Sequence, residues 1–255
     1  MPPTPATVEV NFIAPRHLAG GGDPAWITVP LHRACGWSDG GEPLIPRVML
    51  SSPDHKAVLR LEPVPDGPWW ILHHSAEPDR PAWYASFGAR TPVEAIAGFL
   101  DDLTDPTPGG STEADPYEPL LQANWSPARI QKRLVSPFGT ACVRRLDGAG
   151  SGPWFVTALN DARPVWQAVF AEHTPTRLIA AFTTALADPS PVPRTGSPLK
   201  LPTRDPDLVT LTHREVPAAQ VSSALEDRVR ALTARSKQPA PAPQPPKAPP
   251  HRPAR

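Results

Sequence analysis

The chain has 255 residues, 40% of them apolar, enough to bury the core of one large domain or two small ones. Its 39 prolines exceed the ~5% of average usage, and eight of them fall in the last twenty residues. Formal charge is zero, but residues 1–110 hold 7 Lys/Arg against 13 Asp/Glu, residues 111–190 hold 7 of each, and residues 191–255 hold 11 against 5. An acidic front with a basic rear argues against a broadly cationic nucleic-acid-binding body.

Two cysteines, Cys35 and Cys142, exclude a disulfide framework, and no Cys/His spacing fits a metal centre. They read as small buried side chains in a reducing cytoplasm, with no cofactor and no metal expected. The start "MPPTPATVEV" has neither the basic end nor the apolar stretch of a signal peptide. No run approaches the ~18 apolar residues of a membrane span. A soluble cytoplasmic protein without a membrane partner is expected.

Taken in chain order, "VEVNFIAP" and "AWITVP" read as the arms of an N-terminal hairpin around "RHLAGGGD", whose glycines permit a wide turn. An internal repeat follows. "PLHRACGW" (30–37) answers "PLLQANW" (119–125), and "VMLSSPDHKAVLRL" (48–61) answers "RLVSPFGTACVRRL" (133–146). "GPWW" (67–70) matches "GPWF" (152–155), and "PAWYASF" (81–87) matches "PVWQAVF" (164–170). Each copy closes with "TPVEAIAGFLDDLTDP" (91–106) or "TPTRLIAAFTTALADP" (174–189), and the offset stays between 83 and 89 residues. Five landmarks in one order establish a duplication.

Within a copy, "RVMLSS" and "KAVLRLEP" have strand composition, with Pro53 presetting the turn between them. "PWWILHHSA" and "AWYASFGA" add two strands between turn residues. Thr91, Pro92 and Glu94 have the spacing of a capping box, and Thr174–Pro175 repeats the entry without the glutamate. Val93, Ile96, Phe99, Leu100 and Leu103 recur at helical spacing, as do Leu178, Ile179, Phe182 and Leu186. The fold class is α+β: two tandem repeats, each a short helical lead-in, an antiparallel four-stranded meander and one covering amphipathic helix. The first repeat with its N-terminal hairpin occupies 1–110, and the second 111–190. Residues 191–238 read as a proline-punctuated linker and a C-terminal helix, so removal of 191–255 is expected to leave a folded body. Residues 239–255, "PAPAPQPPKAPPHRPAR", read as a disordered, partly polyproline tail.

The paired copies, the Ser-Pro-Asp turn and the lead-in "APRHLAGGGDP" resemble a streptomycete family of unknown function named for a Ser-Pro-Asp-Tyr (SPDY) motif. The resemblance spans roughly residues 8–190. Here the motif stands as Ser52-Pro53-Asp54-His55, with His in place of Tyr, and in the second copy as Ser136-Pro137-Phe138-Gly139. The resemblance implies tandem domains and an actinobacterial source. It implies no reaction.

The candidate sites are few. His73 and His74 are neighbours in a strand, point to opposite faces and cannot chelate one ion together. Asp54 and His55, with His17 and Arg60, are the one polar group that an enzyme between the copies would use, although a turn alone explains the aspartate. "GGGD" lacks the GK[ST] of a phosphate loop, and no catalytic signature occurs, so no catalytic residue is assigned. Trp69, Trp70, Trp83, Trp154 and Trp166 form the candidate binding face. Equivalent placement in both copies favours a core role, but Trp69 and Trp70 must face opposite sides, which leaves one ring for the open side of a sheet.

The leading reading is a non-catalytic interaction module with an unidentified protein partner. The alternative is nucleic-acid binding through sheet aromatics together with Arg228, Arg230 and the basic tail Arg235, Lys237, Lys247, Arg252 and Arg255.

Overall fold

Alternation of apolar and polar residues over short runs, each run closed by an amphipathic segment, builds the body of the molecule. The computed structural model describes residues 6–40, 47–64, 67–106, 114–128, 133–146, 152–197 and 201–237. Strand β1 (Thr7–Ala14) leads through a tight turn at Arg16–Leu18 to helix α1 (Ala25–Arg33). The first copy continues as β2 (Ser38–Asp39), β3 (Val48–Ser51), β4 (Ala57–Leu61), β5 (Pro68–His74), β6 (Trp83–Gly88) and helix α2 (Val93–Leu103). The second copy runs α3 (Glu118–Gln122), β7 (Ser126–Pro127), β8 (Arg133–Val135), β9 (Ala141–Arg145), β10 (Trp154–Asn160), β11 (Arg163–Phe170) and α4 (Thr176–Ala187). Strands β12 (Val192–Arg194) and β13 (Thr210–Pro217) and helix α5 (Ala218–Ser236) follow. Among the described residues no helix is long and apolar enough to cross a membrane.

The two copies form one ten-stranded antiparallel sheet, ordered β2-β3-β4-β5-β6-β11-β10-β9-β8-β7. Each contributes five strands where four were expected, because the lead-in helix is followed by a two-residue edge strand. The copies meet where β6 lies against β11, with Ala85, Ser86 and Phe87 opposite Phe170, Val169 and Ala168. The strand order is the same read from either edge, so a local two-fold axis passes through this seam.

Helices α2 and α4 lie side by side over one sheet face. Their approach needs Gly98, where a Cβ would fall 2.7 Å from the Ala185 Cβ and 3.0 Å from the Ala181 carbonyl oxygen. Beneath them Phe87, Phe99, Phe170 and Phe182 are all fully buried. Phe87 contacts the other three at 5.7 to 5.8 Å between centroids, and Phe170 stacks on Phe99 at 5.5 Å. Each such ring stabilises by roughly 1.5–3 kcal/mol through burial alone.

Four sequence expectations change. "AWITVP" is helix α1, not a strand: the Asp23 carboxylate accepts the Ala25 N–H at 2.9 Å, and the carbonyl of Pro30, inside the helix, accepts the Ala34 N–H at 2.9 Å at its C-terminus. β1 is a strand, but it pairs with β12 and β13 rather than in an N-terminal hairpin. Residues 191–215 are therefore not simply a linker, since β12 and β13 flank β1 on both sides and share a small core of Ile13, Leu18, Val192 and Val209. The polar text of "TLTHREVP" hid β13, an outer strand with little to bury. Removal of 191–255 would strip both neighbours from β1. The capping box at 91–94 also fails to form: the Val93 N–H is taken by the Gly21 carbonyl at 2.8 Å, and Glu94 pairs with Arg194 at 2.6 and 2.8 Å. The expected tail, 239–255, lies outside the described residues.

Because the phenylalanine cluster belongs to both copies, Phe87→Ala is expected to destabilise the protein by about 3–5 kcal/mol. Unfolding followed by tryptophan fluorescence and by circular dichroism should remain one coincident transition. Two separated transitions would contradict a shared core.

Candidate functional site

Period-two alternation sends every second side chain away from the helices, so the far face of the sheet is set by the residues between the core positions. Cross-strand register places Met49, Arg60, Ile71 and Ser86 in one row through β3, β4, β5 and β6. The row continues through Val169, Phe155, Arg144 and Arg133 on β11, β10, β9 and β8. The two halves are related by the local two-fold, which pairs Arg60 with Arg144 and Ile71 with Phe155. A neighbouring row holds Val58, His73 and Tyr84, with Tyr84 45% exposed. The Arg144 guanidinium lies 5.1 Å from the Phe155 ring centroid. Arg60 reaches Glu62 at 3.6 Å. Cys142 sits on this face beside both second-copy arginines; burial pushes its thiol up, and Arg133 and Arg144 pull it back in part.

Of the five tryptophans in the candidate binding face, Trp70, Trp83, Trp154 and Trp166 are buried beneath the helices. Only Trp69 lies on the open face, its indole N–H bonded to the Val64 carbonyl at 3.1 Å. The alignment of "GPWW" with "GPWF" equates Trp69 with Trp154, whereas the fold equates Trp70 with Trp154. An irregularity between Pro68 and Trp70 absorbs the extra residue, and Trp70 then faces Leu61 as Trp154 faces Arg145. His73 and His74 do point to opposite faces, and His74 stacks on Trp83 at 5.0 Å. Tyr84, Phe155 and Arg144 were missed as face residues. Their signal was available in the alternation, counted one position out of phase from the buried rings.

The two Ser-Pro turns are built alike. The Ser52 hydroxyl accepts the Ala57 N–H at 2.9 Å and donates to Asp54 at 2.6 Å, and Ser136 accepts the Ala141 N–H at 2.8 Å. Each serine is buried and locks its hairpin, while Pro53 and Pro137 open the turn. His55 and Gly139, both at positive φ, complete the reversal. The Ser52 hydroxyl bond, with the Lys56 N–H, holds the Asp54 carboxyl below its ordinary range. In the second turn Phe138 takes φ 65 and stands 80% exposed.

The lead-in "PRHLAGGGD" straps the copies together. Arg16 donates to the Ala185 carbonyl and pairs with Asp188 at 2.7 Å, closing the C-terminus of α4. His17 bonds Thr140 at 2.8 Å, packs against Trp125 at 5.8 Å, and accepts the Trp166 indole N–H on its carbonyl at 2.9 Å. At Gly21 a Cβ would fall 2.5 Å from the Ala89 carbonyl oxygen, so only glycine brings its own carbonyl to the Val93 N–H at the start of α2.

Asp54, His55, His17 and Arg60 do not converge. His17 is committed to the second copy, and five inter-strand spacings, about 24 Å, separate β4 of the first turn from β9 of the second. The basic residues of α5 are largely used within the fold. Arg228 pairs with Asp101 at 2.8 and 3.0 Å and Arg235 with Asp105 at 3.7 Å, beside a shallow depression lined by Trp26 and Leu232. Arg230 pairs with Asp227. Lys237 ends the described residues, and Lys247, Arg252 and Arg255 lie outside them. Among the described residues no group of three or more His, Cys, Asp or Glu is placed to hold a metal ion.

Burial lowers the His17 imidazole to about 4. An unfolded histidine near 6.5 binds more protons between those values, so stability is expected to fall by about 3 kcal/mol as pH drops from 6.5 to 4. His17→Gln, which keeps a partner for Thr140, should flatten that dependence in denaturant titrations at several pH values. An unchanged slope would mean that another group titrates.

No curated protein and no solved structure matches the chain. Residues 51–109 and 135–192 each match the family described as SPDY, a domain of unknown function (DUF317), and these segments hold β4 to α2 and β9 to α4. Both repeats thus carry a match to the SPDY domain, in two tandem segments of the chain.

Proposed function

We propose that the protein is a non-catalytic interaction module, and that the open face of its ten-stranded sheet is the surface on which a macromolecular partner docks. One observation carries the reading: both copies spend their helices on one face, while the other presents a strip of Ile71, Ser86, Val169 and Phe155, apolar but for the serine, bounded by Arg60 and Arg144. From Met49 to Arg133 the row crosses seven spacings, about 34 Å, and strands of about five residues add ~17 Å in the other direction. The resulting area, roughly 600 Å² before side-chain relief is counted, approaches the ~800 Å² per partner of a standard protein interface. Aliphatic residues at the centre suit a protein better than bases, which seek flat rings.

Nucleic-acid binding is the second reading, favoured by Trp69, Tyr84 and Phe155 sharing the face with Arg60, Arg133 and Arg144. It loses Arg228 and Arg235, which are engaged with carboxylates. A location in the cytoplasm belongs to the same proposal.

Affinity capture with the intact chain and with a variant carrying Ile71→Asp and Val169→Asp tests the docking face. Both sites are half-buried on the open side, so the variant is expected to melt as a folded protein yet lose every specifically captured partner. Capture that survives both charges would place the interface elsewhere. A salt series with single-stranded DNA separates the second reading, since phosphate contacts weaken steeply as salt rises.

A further inference from the structure

Arg133 and Arg144 stand directly opposite each other on adjacent strands, on the same face. Like charges in that position repel and weaken the pairing they sit on. Neither arginine has a carboxylate partner among the described residues, and the Arg133 Nε is buried without a hydrogen-bond partner there. The Arg144 guanidinium lies over the Phe155 ring, which steadies its plane and leaves its edge for a ligand. At the symmetric place in the first copy Met49 faces Arg60, and Arg60 has Glu62 beside it. Within this row, facing like charges therefore occur at the second-copy end and not at the first.

Resting on the docking reading above, we infer that the Arg133–Arg144 pair is an anion clamp that receives a side-chain carboxylate of an acidic protein partner. The guanidinium fork matches a carboxylate in a bidentate geometry, and two guanidiniums around one anion convert a repulsive pair into an attractive triad. The adjoining strip of Phe155, Val169 and Ile71 supplies the apolar contact. The partner segment accordingly carries acidic residues beside apolar ones. A second copy of this chain is disfavoured, because face-to-face stacking would add the same unpaired arginines.

Fluorescence anisotropy with the intact chain tests this, using a short labelled peptide of alternating Glu and Leu. The controls are the same peptide with Gln for Glu, the same with Lys for Glu, and an oligo-dT strand. The Glu peptide is expected to bind about tenfold or more tightly than the Gln and Lys peptides, and Arg133→Gln or Arg144→Gln should remove that advantage. Both variants should unfold at the same or a higher temperature than the parent, since each relieves a repulsion, and the Glu peptide should raise the melting temperature of the parent alone. Equal binding of the Glu and Gln peptides overturns the clamp, as does a loss of stability in the arginine variants without a change in binding. Binding of oligo-dT in place of the peptide, lost in the same variants, would overturn the protein partner in favour of a phosphate backbone. If Ile71→Asp abolishes peptide binding while the arginine variants do not, the docking face stands and the clamp falls. If neither change matters, both fall.

Discussion

Everything in this molecule hangs on the antiparallel contact between β6 and β11. Each copy alone would leave an open strand edge and a helix with one bare flank, and an unpaired edge is a liability in water. Pairing the two closes both edges, leaving only the two-residue strands β2 and β7 at the rims. The contact also brings Phe87 and Phe170 together under α2 and α4, so hydrogen-bond closure and apolar burial occur at one place. Gly98 lets the helices come close enough to seal the cluster.

The N-terminal strap makes sense against that seam. Arg16 and His17 grip the second copy, Gly21 and the Arg194–Glu94 pair grip the first, and β1 is then held between β12 and β13. Segments from both chain ends thus brace two domains that already share a sheet. The lead-in stretch "PRHLAGGGD" is explained by packing and helix termination rather than by chemistry. The Ser-Pro turns are explained likewise by a buried hydroxyl that bonds the strand beyond the turn.

Much of this was legible in the residues. The duplication, the fold class, the closing helices and the opposition of Trp69 to Trp70 all follow from periodicity and turn chemistry. What was not legible required knowledge of partners. Glu94 has the spacing of a capping box, yet a guanidinium a hundred residues away claims it. β13 buries too little to show a hydrophobic signal, and α1 is short and rich in β-branched residues, so its local composition reads as strand. The tryptophan register slipped by one because a bulge in β5 is invisible in an ungapped alignment, and in a strand one residue exchanges the two faces. That slip also hid Phe155 and Arg144, which only the assembled sheet places in a row with Ile71 and Arg60.

A single sheet spanning both copies is the claim on which the docking face and the arginine clamp rest. Ser86 and Val169 are opposite each other across the seam on the open side, and side chains in such pairs lie within roughly 6 Å. With Cys35→Ser and Cys142→Ala as background, Ser86→Cys and Val169→Cys should be joined by a short bifunctional thiol reagent. The expected result is an intramolecular bridge in high yield from the folded monomer, lost on denaturation before cross-linking. Thiols that stay free in the folded protein, or that join only between molecules, would contradict the shared sheet and with it the face built upon it.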